Sequence, residues 1–421
     1  MSFRSLGLSP ELCQAVIALG FTEPTAIQRE AIGPILGGSD VWASAQTGSG
    51  KTLAFALPLL QRLQALPAEN RHQYGRAIRC LIVVPTRELV AQVGEVVRNL
   101  AQAIAPHPKV VVASGGVSIN PQMMALRGGA DVLIATPGRL LDLAKQNAIQ
   151  LATVRILVLD EADRLLDLGF ADELSRILML LPPSRQTLLF SATFPPEVRG
   201  LVANMLRSPV QLAIEPDSVQ ENVIVQRAIR VDPSRRTQLL RHLVKEQGWK
   251  RVLVFVATKY AAELVAEKLY KAGVYATAFH GDLSQGARNL VLAELKDEQW
   301  EVVITTDLAS RGIDISKLPV VLNYDLPRSA VDYIHRIGRT GRAGEPGLAI
   351  SFVGADALAH FALIQKRQGL DVTLETIAGF EPTDTVTPIA PQVGPENGGI
   401  KGKRPSKKDK LRDAAARHTA T

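Results

Sequence analysis

The chain has 421 residues, of which 46% are hydrophobic and 21% charged, and its formal net charge is +7. This length allows two or three domains, and the hydrophobic fraction is ordinary for globular protein. The sequence has no run of eighteen apolar residues, its first residues lack the apolar stretch of an export signal, and its two cysteines have no metal-ligand spacing. We therefore expect a cytoplasmic protein without a membrane partner or a disulfide framework.

Two short helices are predicted near the N-terminus. Ser9 and Pro10 provide an N-cap and a first-turn proline, and Gly20 ends the first helix. Pro24 fixes the start of a second helix, which carries Gln28. The side-chain amide of Gln28 has a donor and an acceptor, which suits the edge of adenine, although a single glutamine is more often an ordinary polar residue.

Residues 45–52 read Ala-Gln-Thr-Gly-Ser-Gly-Lys-Thr. They lie between an apolar run at 41–45, suited to a buried strand, and another at 53–60, suited to a helix. A glycine-rich stretch in this context predicts a phosphate-binding loop.

The residue types of this loop fit that chemistry. Gly48 and Gly50 let the backbone direct its N–H groups towards an anion, and the following helix adds its positive N-terminal end. Lys51 would supply charge to the β- and γ-phosphates, and the hydroxyl of Thr52 would be a ligand for Mg²⁺. Ala45 replaces the usual first glycine, and a glycine-rich turn before a helix is the alternative.

Apolar runs alternate with helical segments after the loop. The strand candidates are residues 80–84, 110–113, 132–135, 156–159 and 187–190. Strands this apolar are buried on both faces, and the alternation predicts a parallel sheet flanked by helices. Ligands bind at the carboxyl ends of such strands, and four of the runs end in a polar cluster. These clusters are residues 85–88, 136–139, 160–163 and 191–193.

Asp160 and Glu161 follow one of these strands directly. A carboxylate there is placed to hold Mg²⁺, directly or through water, and its neighbour can orient and deprotonate an attacking water. We assign the metal to Asp160 and the general base to Glu161. The acidic residues also suit the first turn of a helix, and both interpretations can hold together.

A region without periodicity at 209–222 predicts a linker, and a second alternating series follows it. Its strand candidates are residues 252–256, 276–280, 302–305, 320–323 and 349–353. This half has no phosphate loop of its own. It contains three arginines spaced three apart within residues 333–342, where the glycines at 338 and 341 argue against a plain basic helix.

Positive charge is concentrated at the C-terminus. Residues 401–421 contain eight Lys or Arg against two acids, so this segment carries +6 of the net +7 and leaves +1 for the rest. Prolines and glycines accumulate from 375 to 399 and aromatic residues nearly vanish, which predicts a disordered tail at 376–421. Affinity for nucleic acid in the preceding body would have to come from local arrangement.

Taken together, these stretches resemble the DEAD-box family of ATP-dependent RNA helicases over about residues 1–375. Residues 21–28 look like its Q motif and 45–52 like its motif I, which explains Ala45. Residues 160–163 spell Asp-Glu-Ala-Asp, and residues 335–342 match motif VI. Motifs III, IV and V are matched by residues 191–193, by 254–258 and by 306–307 with 311–314. The compact body with a short basic tail looks most like the small bacterial RhlE-type members.

The resemblance implies an α/β protein with two tandem RecA-like domains, each a parallel sheet flanked by helices. The N-terminal domain would span 1–208 and the C-terminal domain 223–375, on either side of the linker at 209–222. ATP and Mg²⁺ would be bound by the first domain. From the second, Arg339 and Arg342 would reach the γ-phosphate.

The resemblance also assigns individual residues. The catalytic residues would be Lys51, Asp160, Glu161, Arg339 and Arg342. The nucleotide contacts would be Phe3, Phe21, Gln28, Ala45, Gln46, Thr47, Gly48, Ser49, Gly50, Lys51, Thr52, Gly312 and Asp314. The RNA contacts would be Arg87, Gly115, Gly116, Thr136, Gly138, Arg139, Thr258, Arg288 and Thr306. Asp163, Ser191, Thr193 and His335 would couple the domains. Ala257 stands where several relatives have arginine, which puts that contact in doubt.

The implied activity is ATP-dependent local unwinding of RNA duplexes or remodelling of RNA–protein complexes, in ribosome assembly or RNA turnover. RNA, as a single strand or short duplex, would be bound largely without sequence preference through its backbone. One alternative is an ATP-gated RNA clamp or scaffold without unwinding. Another is a catalytically silent binding module, which the presence of all five catalytic residues disfavours. Ribosomal or RNA-decay protein partners are not identified by the sequence.

Overall fold

A computed structural model describes residues 2–45, 48–65, 76–193, 198–200, 205–214, 224–310, 318–341 and 346–383. The predicted residues Gln46, Thr47, Gly312, Asp314 and Arg342 lie outside these ranges, as does the tail from residue 384.

The first half of the described chain builds a parallel sheet of seven strands in the order β3-β4-β2-β5-β6-β1-β7. The strands are β1 Val41–Ser44, β2 Cys80–Val83, β3 Val110–Ala113, β4 Val132–Ala135, β5 Ile156–Asp160, β6 Gln186–Ser191 and β7 Val210–Ala213. The described helices of this half are α1 Pro10–Ala18, α2 Ala26–Leu36, α3 Lys51–Ala65, α4 Arg87–Ala101, α5 Asn120–Ala125, α6 Pro137–Lys145, α7 Ala162–Asp167 and α8 Ala171–Leu180.

Local chemistry explains where several helices begin. The Ser9 hydroxyl accepts from the backbone N–H of Leu12, with Pro10 in the first turn. Thr86 caps α4 in the same way, through the N–H of Leu89. The central strands β2, β4, β5 and β6 are buried at every residue, which agrees with a sheet covered on both faces.

The second half repeats this architecture with the strand order β10-β11-β9-β12-β13-β8-β14, all parallel. Its strands are β8 Ile224–Arg230, β9 Val252–Phe255, β10 Ala276–Phe279, β11 Val302–Thr305, β12 Val320–Asn323, β13 Gly347–Val353 and β14 Leu374–Glu375. Its described helices are α9 Arg236–Gln247, α10 Lys259–Lys271, α11 Gln285–Lys296, α12 Asp307–Ser310, α13 Ala330–Ile337 and α14 Leu358–Gln368. Counted from its own first strand, each sheet has the order 3-4-2-5-6-1-7, so the two halves share one topology.

The linker predicted at 209–222 begins too early. Residues 210–213 form β7, which pairs in parallel with β1 and extends the first sheet. Val210 and Leu212 alternate with exposed residues and pack against the first core. This period of two is the signature of a half-buried edge strand, and the short run beside Pro209 obscured it.

The boundary predicted at residue 375 is also wrong, because the chain packs on the second sheet as far as Thr383. Glu375 lies in β14 and forms a bidentate ion pair with Arg227, at 2.7 and 2.8 Å. Phe380 packs against the second core below the guanidinium of Arg235, and Thr383 donates to Asp232. The segment has so few apolar side chains that its average composition still resembles that of a disordered tail. The sequence therefore predicted the boundary too early.

Within the described part of the chain, no helix has both the length and the apolar character needed to cross a bilayer.

Candidate nucleotide and RNA site

The glycine-rich loop lies between β1 and α3, as predicted. Gly48 and Gly50 have φ values of 83° and 92°, which side-chain-bearing residues rarely adopt. A Cβ on Gly50 would lie 2.4 Å from Nε2 of Gln28 and would displace that amide, so glycine also leaves room for Gln28. The loop therefore has the backbone freedom that a phosphate cradle needs.

Gln28 connects the second helix to this loop. Its Oε1 accepts from the backbone N–H of Thr25 at 3.0 Å, and its Nε2 donates to the carbonyl of Gly50 at 3.0 Å. An amide oxygen can accept twice and an amide nitrogen can donate twice, so each atom keeps one position for a base edge. The ammonium of Lys51 is buried and donates to the carbonyl of Ala45 at 2.8 Å.

The two predicted aromatic nucleotide contacts differ. Phe21 is 47% exposed at the surface, where a base could lie against its ring. Phe3 is 2% exposed and belongs to the core cluster that contains Leu8 and Leu12. Phe3 thus packs in the first core in this structure, and its nucleotide contact stays a prediction.

Asp160 and Glu161 end β5 at the same edge of the sheet. Burial raises the pKa of Asp160 to about 6, against the opposing charge of Lys51. Its Oδ1 accepts from the backbone N–H of Glu161 at 2.9 Å. Glu161 has φ 53° and ψ 52°, a left-handed conformation that turns the chain sharply between β5 and α7.

The donor set fits Mg²⁺ bound together with phosphates. Asp160 and Thr52 would supply hard oxygen ligands, and among the described residues no three His, Cys, Asp or Glu side chains are grouped to hold a metal by themselves. Mg²⁺ usually takes one or two carboxylates and completes its octahedron with water and substrate phosphates.

Asp163, Ser191 and Thr193, for which a coupling role is predicted, form one hydrogen-bonded group. The backbone N–H of Asp163 donates to the Ser191 hydroxyl at 3.1 Å, and Oδ2 of Asp163 accepts from the backbone and hydroxyl of Thr193 at 2.9 and 2.8 Å. Burial disfavours the carboxylate, but the bonds from Thr193 and Ser191 outweigh it and lower the pKa of Asp163.

The second half of the chain contacts Arg164, the residue after Asp163, through His335. Nδ1 of His335 lies 3.5 Å from a guanidinium nitrogen of Arg164, at the interface between the two sheets. Burial, helped by the charge of Arg164, lowers the pKa of His335 to about 4, so the ring is neutral at pH 7. Arg339 is buried and lines the same small cavity as Arg164 and His335.

The RNA residues predicted in the first half cluster at the carboxyl ends of the neighbouring strands β2, β3 and β4. The Arg87 guanidinium lies across Gly116, where a Cβ would meet it at 2.2 Å. The backbone N–H of Gly115 donates to the Thr136 hydroxyl at 3.3 Å, and the Cα of Gly138 faces open space.

Arg139, by contrast, is turned inward. It is 7% exposed and donates to the carbonyl of Val117 at 2.7 Å. It therefore supports the loop after β3 instead of presenting its guanidinium to the surface.

In the second half, Thr258 is exposed and caps α10 by accepting from the N–H of Ala261, whereas Thr306 is buried. Arg288 is buried against the first half, with a guanidinium nitrogen 2.9 Å from a carboxylate oxygen of Glu88. It also donates to the carbonyl of Ala309 and lies over the ring of Phe279. In this arrangement Arg288 makes an interdomain ion pair, and its RNA contact stays a prediction.

Comparison with known proteins identifies the family. Residues 25–201 match the DEAD/DEAH box helicase model, and residues 235–344 match the helicase conserved C-terminal domain. The DEAD-box ATP-dependent RNA helicase RhpA of Helicobacter pylori is 38% identical over 374 residues, which are 89% of this chain and 73% of the relative. The chain belongs to the DEAD-box family of ATP-dependent RNA helicases. It is accordingly an RNA-dependent ATPase.

Further relatives of the helicase agree. The ATP-dependent RNA helicase DeaD of Mycobacterium tuberculosis is 37% identical, over 92% of this chain and 68% of the relative. The structure of Dbp5 of S. cerevisiae bound to RNA and ADP BeF3 matches with a TM-score of 0.76 at 32% identity. The match covers 91% of this chain and 96% of the Dbp5 chain. The structure of Mss116p bound to ssRNA and AMP-PNP matches with a TM-score of 0.77 at 28% identity. The match covers 89% of this chain and 78% of the Mss116p chain. The narrower resemblance to RhlE-type members stays a prediction.

Three buried residues of the helicase site were missed by sequence reasoning. Glu88 pairs with Arg288, and Arg164 contacts both Glu161 and His335. Arg336 holds Asp307 through two nitrogens, at 2.5 and 2.7 Å, and also donates to Asn323. All three lie inside or beside recognised motifs, which was the available signal, but a single sequence does not show which distant residue a charge will face.

Proposed function

We propose that this helicase separates short RNA duplexes locally by alternating between joined and separated halves. The supporting observation is the way the halves meet. Glu161 lies in the first half at the end of β5, and Arg164 joins it to His335 of the second half. A nucleotide at this junction would favour contact between the halves, and its hydrolysis would remove that bias.

The chemistry is assigned to this chain's own residues. Lys51 and the loop backbone would bind the phosphates of the substrate ATP, and Gln28 would bind adenine. Mg²⁺ would be held by Thr52 and Asp160, partly through water, and would neutralise phosphate charge. Glu161 would accept the proton of the attacking water, and Arg339 and Arg342 would stabilise charge on the γ-phosphate.

RNA would be bound along both halves through its backbone. Arg87, Gly115, Gly116, Thr136 and Gly138 offer donors and close approach at the first sheet, and Thr258 and Thr306 at the second. Contacts to phosphate and sugar carry no base identity, so binding would be largely independent of sequence. Joining two half-surfaces on one strand would prevent its complement from remaining paired there.

Strand displacement tests this function. A short duplex with a fluorescent strand should separate in the presence of ATP, Mg²⁺ and the full-length chain. Glu161→Gln should retain ATP and RNA binding while turnover falls by roughly 10² to 10⁴, and displacement should stop with it. Arg339→Ala should lower turnover by roughly 10³ or more. ATP-dependent RNA binding without displacement would instead indicate a clamp.

We further propose a cytoplasmic role in ribosome assembly or RNA turnover. Sequencing the RNAs crosslinked to the protein in cells would test it. Enrichment of ribosomal RNA precursors would support the first process, and enrichment of decay intermediates the second. Recovery of neither class would exclude both.

A further inference from the structure

Arg164 is the residue of α7 that contacts the proposed general base. It is buried, and its NH1 donates to Oε2 of Glu161 at 2.9 Å. The side chains of Arg164 and Glu161 are only 5% and 10% exposed. An ion pair this well covered is screened little by solvent and restrains both partners.

The backbone alone does not fix the direction of the Glu161 carboxylate. Glu161 is the left-handed residue between β5 and α7, and its backbone N–H is used by Asp160. Its carboxylate therefore takes its direction from the side chain three residues later. A guanidinium is suited to this task because its donors are fixed in one plane.

The second terminal nitrogen of Arg164 points across the interface. It lies 3.5 Å from Nδ1 of His335, which belongs to α13 in the other half. The neutral ring can accept there, so one guanidinium joins the base of the first half to motif VI of the second.

We propose that Arg164 is a positioning residue, which aligns the carboxylate of Glu161 for proton abstraction when His335 lies against it. Contact between the halves then fixes the rotamer of Arg164, and Arg164 fixes the carboxylate. Hydrolysis would thereby depend on closure even though His335 never touches the base. This inference rests on the proposed function of Glu161.

Arg164→Met tests the inference, because methionine keeps much of the volume and removes every donor. We expect kcat at saturating RNA to fall by roughly 10- to 100-fold, since misplacement of a reacting group by about 1 Å costs up to about 10² in rate. The KM for ATP and the RNA affinity should change by less than about threefold. Arg164→Lys keeps the charge but lacks the planar fork, so it should recover part of kcat.

A double-mutant cycle separates positioning from a structural role. Residues that act as a unit have non-additive effects, so Arg164→Met should change the residual single-turnover rate of Glu161→Gln by less than about threefold. Arg79→Met is the matched control. Arg79 lies away from this site and forms a comparable ion pair, with a nitrogen 2.9 Å from a carboxylate oxygen of Asp131. This variant should lower the Tm without lowering kcat in either background.

The possible failures are distinguishable. If the losses from Arg164→Met and Glu161→Gln multiply, or if Arg164→Met raises KM with kcat unchanged, Arg164 does not act through the base. If Glu161→Gln alone keeps its full rate, the proposed role of Glu161 is wrong and this inference falls with it. Should Arg164→Met fail to fold, Arg164→Lys gives the same cycle.

Discussion

The side-chain amide of Gln28 forms hydrogen bonds with two parts of the first half. It closes the capping box of α2 through Thr25 and donates to the carbonyl that precedes α3. Its position is therefore fixed before any nucleotide binds, and its remaining donor and acceptor are oriented in advance. Preorganisation of this kind favours a base with the matching donor and acceptor pattern.

The first prediction follows from this geometry. Gln28→Ala removes the match to adenine and one bond to the phosphate loop, so both the preference for ATP over GTP and the ATP affinity should fall. The loss of one hydrogen bond corresponds to about 0.5–1.5 kcal/mol, or roughly 2- to 12-fold in affinity. ATPase and GTPase rates of the two proteins, measured side by side, check it. Equal use of ATP and GTP by the unaltered chain would contradict the assignment.

At the level of elements, the strands made of apolar runs were predictable, including the edge strands β3 and β10. The strands β7, β8 and β14, which mix apolar with polar residues, were not. Residues 132–135 and 302–305 were assigned with their observed bounds, because an apolar run between polar clusters can hardly be anything else. β7 has four residues and β14 has two, and both are half-covered edges whose composition resembles that of loops. Their pairing is decided by the neighbouring strand, which local sequence does not contain.

The residues of the site likewise divide into those that the sequence predicted and those that it did not. The phosphate loop and the acidic pair were predictable because each is one continuous segment at a strand end. The ion pair between Glu88 and Arg288 joins residues 200 positions apart, and the resemblance assigned Arg288 to RNA instead. Contacts of this kind depend on how the two domains meet. The sequence pattern within either domain does not determine that arrangement.

The C-terminal boundary supplies the second prediction. Truncation after Thr383 keeps the whole compact unit of residues 1–383, so the Tm should stay unchanged. Truncation after Glu375 removes Ile377 and Phe380 from the second core and should cost about 2–4 kcal/mol, or roughly 5–10 °C in Tm. Phe380→Ala in the full chain should reproduce about half of this loss. Equal melting of the two truncated proteins would show that residues 376–383 contribute nothing.

At the level of the whole molecule, polar side chains join the two halves. Each of the five apolar clusters among the described residues belongs to one half only. Contacts between the halves include the pair of Glu88 with Arg288 and the contact of Arg164 with His335. Because buried ion pairs lose on desolvation much of what they gain by attraction, such an interface can separate at little net cost.

The third prediction is that acid separates the halves. His335 has a pKa of about 4 when buried and should return towards its ordinary 6.5 when the halves part. Between about pH 6.5 and about pH 4 the separated state therefore binds more protons than the joined state. Contact between the halves is fully stable above about pH 6.5 and weakens as the pH falls towards about 4. The groups that face the ring and set its titration are Arg164, Asp163, Arg339 and Glu161.

Fluorescence transfer between dyes on the two halves, with RNA and a non-hydrolysable ATP analogue, measures this separation. From pH 7 to pH 5 the RNA concentration needed for half-maximal transfer should rise roughly 20-fold. His335→Asn cannot titrate and should show a flatter profile over this interval. An identical profile for both proteins would assign the acid response to other groups.

The last prediction concerns residues 401–421, which we propose act as a non-specific RNA tether. Their eight basic residues would release counterions from RNA, with a slope of about −0.7 per neutralised phosphate on a single strand. Full engagement would therefore contribute roughly −5 to −6 to the salt dependence of binding. Removal of these residues should raise the RNA concentration for half-maximal ATPase and flatten its salt dependence, while the rate at saturating RNA stays nearly constant. An unchanged salt slope would leave only a role in solubility, and a collapse of the saturated rate would place the segment within the motor.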